Sequence, residues 1–253
     1  MINSGYRRSL GVKGLLGSVL ALLFIAIPQA ALANKPKNIE ESEMQLIPSY
    51  CPDTMGFKYG DAYTKTSPRA KHWVALMGES FWHMHHYCWG MINLNRARRA
   101  GVSTQTSKWL LEEVRGDFMY VTSNTPKNFV MLPEVYTRLG EVELMLRQPN
   151  RAIKAFERAI EQKPDYWPPY SHWAEFLMRA GKRPEALKTV IAGLAYSPES
   201  KVLLEQFKLL GGKPSDMPAP IKKSEPQVSP DDAKEPAEVQ PEDKKPEEKV
   251  TTP

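Results

Sequence analysis

From Pro133 onward the chain repeats itself every 34 residues: Tyr136 and Tyr170, Ala152 and Ala186, and Pro164 and Pro198 are each 34 apart. A period of that length marks a stack of small supersecondary units, each unable to bury its apolar face alone. Small residues at Gly140, Ala159, Ala174 and Gly193 let two antiparallel helices approach closely, while Tyr136, Phe156, Trp173 and Leu177 fill the space beside them. Pro164 and Pro198 end the second helix of each pair, because proline disfavours helical geometry at the residue before it. In "MRAGKRPEA", Gly181 stops one helix and Pro184 opens the next. The stretch "ESKVLLEQFKLLGG" places Val202, Leu203, Phe207 and Leu210 on one side with Gly211 as its stop, which suits a capping helix.

The first unit reads Tyr136-x2-Leu139-Gly140, then Ala152-x3-Phe156-x2-Ala159 and Pro164; the second reads Tyr170-x2-Trp173-Ala174-x2-Leu177, then Ala186-x3-Val190 and Pro198. Over about residues 133–211 this resembles the tetratricopeptide repeat family. Two departures stand out: Glu143 occupies a place where a large apolar residue is usual, and Arg147 replaces the glycine of the first unit's turn. In that family the first helix of each pair lines a concave groove that binds peptides. The resemblance carries this role onto Thr137, Glu141, Leu144 and Met145 in the first unit, and onto Ser171, Glu175, Met178 and Arg179 in the second. A solvated helix face is the competing reading of the same residues. Two units are fewer than the three or so that give a stable stack, so an upstream element must cover the open face. "SKWLLEEVRGDFMYV", with Trp109, Leu110, Val114, Phe118 and Val121 at helical spacing, is the candidate.

Further upstream, Ser67-Pro68 opens a helix, and "NRARRAG" closes one with Arg96, Arg98 and Arg99 ahead of Gly101. Between them lies the decapeptide "FWHMHHYCWG", on one long helix or on two that meet near Gly78. At 100° per residue, Trp73, Leu76, Met77, Phe81, Met84, Tyr87, Cys88, Met91 and Leu94 share one apolar face, with Trp82, His86 and Trp89 opposite. A helix apolar nearly all round is wrapped by others, and its histidines then donate to backbone or carboxylate. The sharper alternative takes Glu79, His83 and His86, within a stripe about 60° wide, as three metal ligands, with Gly90 on the same stripe where a second helix could come close. Against it, the spacing lacks the i, i+4 histidine pair of zinc helices, and there is no C-x-x-C-H for haem. No nucleophile motif accompanies the histidines, so the chain reads as a non-enzyme with no cofactor.

The N-terminus has Arg7, Arg8 and Lys13, an apolar run from Gly14 to Ile27, and Ala31-Leu32-Ala33 before "NKPK". These are the parts of a secretory signal peptide, with cleavage expected after Ala33. An uncleaved anchor is the alternative, though the run is shorter than the ~20 residues of a spanning helix and Pro28 ends it. Removal of residues 1–33 lowers the formal net charge from +5 to +2, which divides into +5 for residues 34–212 and −3 for residues 213–253. With no basic run, this gives no support for a nucleic-acid partner. The two cysteines, Cys51 and Cys88, are expected to pair as a disulfide in an exported chain, two free thiols being the alternative.

After Lys213 the composition changes to nine prolines among alternating Lys and Glu, with no aromatic residue. Such a segment buries too little apolar surface to fold alone and should be a disordered tail, either solubilising or tethering. The expected organisation is all-α: signal peptide 1–33, extended segment 34–66, N-terminal helical region 67–131, two tetratricopeptide-like repeats with a capping helix over 132–212, and tail 213–253. The expected function is a periplasmic or secreted scaffold or adaptor that binds another protein or peptide in the cell envelope; a metal-binding envelope protein is the alternative.

Overall fold

The computed structural model describes residues 35–57 and 66–221. The expected signal peptide and the greater part of the expected tail lie outside the described residues. Within them the fold is all-α, with nine α-helices and no strand: α1 (Glu41–Met44), α2 (Pro68–Met77), α3 (Met84–Ala97), α4 (Thr104–Asn124), α5 (Leu132–Met145), α6 (Pro149–Gln162), α7 (Pro168–Arg179), α8 (Arg183–Tyr196) and α9 (Lys201–Leu209). None is long and apolar enough to cross a membrane.

Local chemistry explains most of these boundaries. Proline stands in the first turn of α2, α5, α6, α7 and α8, where its missing N–H costs nothing. Ser103 caps α4 by accepting the Thr106 N–H at 3.1 Å, and Ser200 caps α9 from the Leu203 N–H at 3.4 Å. Helices α6 and α8 end two residues ahead of Pro164 and Pro198. Gly78, at φ +69°, ends α2, and a 3₁₀ turn over Glu79–His83 leads into α3. The two-helix alternative for this region therefore holds, with a tighter turn between the helices. The segment expected to be extended is only partly so, since it contains α1 and a 3₁₀ turn at Cys51–Asp53.

Two apolar cores result. The front core surrounds α3, whose Met84, Tyr87, Ile92 and Leu94 meet Val114, Phe118 and Val121 of α4 and Leu132, Val135 and Val142 of α5. Tyr87 stacks on Phe118 with ring centroids 5.4 Å apart. Gly90 makes the approach of α3 and α4 possible, because a Cβ there would lie 2.6 Å from the Phe118 ring. The Cys51–Cys88 disulfide, fully buried, ties the N-terminal segment into this core, and closing such a loop stabilises by roughly 2–4 kcal/mol. Two buried carboxylates hold the same segment. Glu43 receives Arg96 and Arg99, Arg96 above all holding its pKa down to about 2, and Asp53 receives Arg69 and Trp73. The back core is smaller: Tyr170, Ala174 and Leu177 of α7, Ala186, Val190 and Leu194 of α8, and Leu203 and Phe207 of α9.

Helix α4 packs on α5, α5 pairs with α6, α6 meets α7, α7 pairs with α8, and α9 closes against both α7 and α8. The element proposed from sequence to cover the first hairpin is thus the one that does so. Within it, Leu110, Val114, Phe118 and Val121 are buried, but Trp109, at the start of the helix, is 56% exposed. Leu76 is likewise 59% exposed, because the break at Gly78 prevents one angular count from running through α2 and α3. Beyond α9, Pro214–Asp216 forms a 3₁₀ turn and the Ile221 N–H donates to the Ala195 carbonyl at 2.7 Å, so the first residues of the expected tail lie against α8.

Candidate functional site

Helices α5 and α7 are the first helices of successive hairpins, and an open hollow of about 680 Å³ lies between them. Arg138, Glu141, Leu144 and Met145 come from α5; His172, Glu175, Phe176 and Arg179 come from α7, with Ala180 just beyond it. Arg98, directly after α3, completes the lining.

Glu141 is the centre of the floor. It is 7% exposed and meets two guanidinium groups and an imidazole: Arg98 Nη2 at 3.0 Å, Arg138 Nη1 at 3.1 Å and His172 Nε2 at 2.7 Å. Burial alone would raise its pKa; the hydrogen bond and charge of His172, with Arg138 and Arg98, outweigh it and hold the carboxyl at about 2. Two turns earlier on α5, Glu134 accepts from Tyr87 of α3 at 2.8 Å, from Arg138 Nε at 2.8 Å and from Tyr166, ahead of α7. Burial again opposes ionisation there, and Arg138 with the hydroxyl donors overcomes it, so the Glu134 pKa falls. Arg138 is raised in turn: burial lowers it, and Glu134 and Glu141 more than compensate. A chain of paired charges and hydroxyl donors, buried at Glu141 and partly exposed elsewhere, therefore joins the end of α3 to α5 and α7 beneath the hollow, and such networks restrain what they connect.

Five of the eight residues that the repeat resemblance assigns to a groove line this hollow: Glu141, Leu144, Met145, Glu175 and Arg179. The other three do not. Thr137 is 1% exposed and donates to the Pro133 carbonyl at 2.7 Å. Ser171, its equivalent 34 residues on, is 3% exposed and accepts from Gln206 of α9 at 2.9 Å, so it lies in the seam with the next helix. Met178 packs against the back core. The resemblance did not single out Arg138 and His172, although they too are 34 apart and the repeat offset pairs them. Arg98 lies outside the repeats and no spacing signals it.

The three residues of the metal reading each meet a different partner. Glu79 Oε2 accepts the Trp82 indole N–H at 3.0 Å, His83 Nδ1 lies 3.4 Å from the Tyr120 hydroxyl, and His86 Nδ1 lies 2.8 Å from Asp117 Oδ1. Each has its own partner because the 3₁₀ turn rotates Glu79 and His83 away from the stripe that a continuous helix would have made. Among the described residues no three His, Cys, Asp or Glu side chains could hold a metal ion. Asp117, fully buried against Gly90, was the unforeseen partner; its pKa is pushed up to about 8 by burial and by Glu113, while burial pushes His86 down to about 4.

No family model matches the chain, and neither a curated protein nor a solved structure is matched by it.

Proposed function

We propose that this chain is an exported adaptor of tetratricopeptide-repeat type that binds an extended segment of another polypeptide in the hollow between α5 and α7, without catalysing a reaction. The observation that carries the reading is the hollow itself: an open concavity of about 680 Å³ whose two walls are corresponding helices of successive repeat units. Its chemistry suits a peptide. Leu144, Met145 and Phe176 offer apolar contact, Arg179 and the exposed part of Arg98 offer guanidinium donors, and Glu141 is already neutralised by its three partners. The network under the floor keeps the two walls in register, which reduces the ordering cost of binding.

Export is part of the same proposal. The charged and apolar start of the sequence supports it, and so does the buried Cys51–Cys88 disulfide, a bond that persists in oxidising compartments such as the periplasm. Mass measurement of the protein recovered from cells is expected to give an N-terminus at Asn34; retention of Met1 in a membrane fraction would replace the leader with an anchor.

The groove is tested by selecting displayed random 12-residue peptides on the full chain, then on Arg179→Glu and Phe176→Ala. A shared motif that enriches on the parent and is lost by at least tenfold on both variants supports it. Enrichment unchanged by both substitutions, with circular dichroism showing intact helices, rules the groove out as the binding surface.

A further inference from the structure

The guanidinium groups around the hollow are unequally engaged. Arg138 is committed to Glu134 and Glu141, but Arg98 gives only Nη2 to Glu141 and its side chain is 42% exposed. Arg179, exposed on the α7 wall, forms no ion pair among the described residues. The hollow thus has donors to spare for carboxylates, flanked by Leu144, Met145 and Phe176.

The chain carries a segment of complementary chemistry. Residues 235–243, "EPAEVQPED", hold four acidic residues and no cation, with Val239 as their one large aliphatic side chain and Pro236 and Pro241 restricting the backbone. Residues 224–233 also lack a cation but hold three acidic residues, one fewer, and the remaining acids, Glu247 and Glu248, lie between lysines. We propose that residues 235–243 of this chain seat in the α5/α7 hollow, their carboxylates on Arg98 and Arg179 and Val239 among Leu144, Met145 and Phe176, so that the chain occupies its own peptide site until a partner displaces it. This rests on the reading of the hollow as a polypeptide groove.

Three physical points favour this occupant over a free acidic peptide. The departure point is fixed, since the Ile221 N–H is bonded to the Ala195 carbonyl on α8, the hairpin partner of the α7 wall. The thirteen residues from 222 to 234 reach about 40 Å at about 3.1 Å per residue, roughly twice the length of a 14-residue helix at 1.5 Å per residue. A tethered ligand within reach acts at an effective concentration of order mM, so even a weak charge-assisted contact is populated.

The experiment uses the full chain with the photo-crosslinking residue p-benzoylphenylalanine in place of Val239, irradiated at low concentration, and adducts are mapped in the monomer. Attachment concentrated on peptides containing Leu144, Met145 and Phe176, and reduced at least fivefold by Arg179→Glu or by 0.5 M salt, is the expected result. Attachment spread over the surface, insensitivity to charge, or adducts only between chains would overturn the proposal. A second full chain, with Glu235, Glu238, Glu242 and Asp243 all changed to Gln, is expected to bind the displayed-peptide motif at least threefold more tightly than the parent. If it binds that motif equally and Arg179→Glu still abolishes binding, the groove stands and its occupant comes from another chain. If no motif is selected on either chain, the groove reading itself falls.

Discussion

The two repeat hairpins carry a glutamate and a leucine at the same place. Glu143 in α5 and Leu177 in α7 are 34 residues apart and both are buried, at 4% and 8% exposure. Leu177 joins Ala186 and Val190 in the back core, between repeat helices. Glu143 faces Arg115 of α4, Nη2 to Oε2 at 3.1 Å, at the joint where the repeat meets the non-repeating front bundle. The lesson is that positions 34 residues apart take their chemistry from what packs on them: apolar where Leu177 meets the side chains of α8, ionic where Glu143 meets a helix that supplies Arg115.

The largest effect expected from testing this contrast is at Arg115. Arg115→Ala strands Glu143 as a buried charge, and loss of one member of such a pair costs about 3–5 kcal/mol. Arg115→Met with Glu143→Leu makes the first unit resemble the second and is expected to recover most of that loss, because an apolar replacement of a whole buried pair is often neutral or better. Urea unfolding of the parent, Arg115→Met, Glu143→Leu and the double variant reads the coupling directly. A double variant as unstable as Arg115→Ala would show that the glutamate is held for a reason other than its neighbour.

Next in size is the disulfide, which only the front has. Cys51→Ser with Cys88→Ser is expected to cost about 2–4 kcal/mol. Amide exchange should accelerate in α1 and α3 and stay unchanged in α8 and α9, whose core shares no residue with the one around Cys88. Equal acceleration in both halves would mean that they unfold as one cooperative unit.

The two halves also differ in titration. The front buries His86 against Asp117, and in the folded chain this pair keeps one proton between about 4 and about 8. In the unfolded chain, ordinary values of 6.5 and 3.8 apply, so the folded state holds the extra proton only between 6.5 and about 8. Stability from the pair is therefore full below 6.5 and is lost as pH rises through about 8, by about 1–2 kcal/mol. Asp117→Asn should flatten the change in urea midpoint between pH 6 and 8.5; an unaltered slope in that variant would assign it to another group. In the back core Tyr170 is raised to about 12, chiefly by burial, and titrates above this window.

Legibility from sequence followed the same divide. Prolines at helix openings, stops such as Gly181 and Gly211, and the 34-residue offset are local signals, and α5 to α9 fall where those signals put them. Five of the eight residues assigned through the repeat resemblance line the hollow, because positions 34 apart fall on corresponding faces of α5 and α7. Thr137 and Ser171 were not, because whether a small polar residue at the edge of that face meets solvent or the next helix depends on how closely successive hairpins approach. Arg98 and Asp117 were invisible for a related reason: each matters through a contact, to Glu141 or to His86, made across 43 or 31 residues of chain. Glu79, His83 and His86 do not share one α-helical stripe, because Glu79–His83 form a 3₁₀ turn ahead of α3.

The smallest effect belongs to the turns. Arg147 and Gly181, 34 apart, hold φ +59° and +74°. The hydrogen bonds around them match: Arg147 N–H to Leu144 O at 3.0 Å and Gln148 N–H to Glu143 O at 2.8 Å, against Gly181 N–H to Met178 O at 3.0 Å and Lys182 N–H to Leu177 O at 2.9 Å. This is the paired-bond arrangement that closes a helix through one left-handed residue. A side chain in that conformation costs roughly 1–2 kcal/mol. Glycine avoids the clash but loses roughly 0.5–1 kcal/mol more backbone entropy on folding. Arg147→Gly is therefore expected to stabilise by about 0.5 kcal/mol, and Gly181→Arg to destabilise by a similar amount. The two backbones are alike and Arg147 is exposed, so the shifts should be near mirror images in urea midpoint. If Arg147→Gly instead lowers stability, the arginine side chain gives the first turn more than its conformation costs, and the two turns are equivalent in geometry but not in energy.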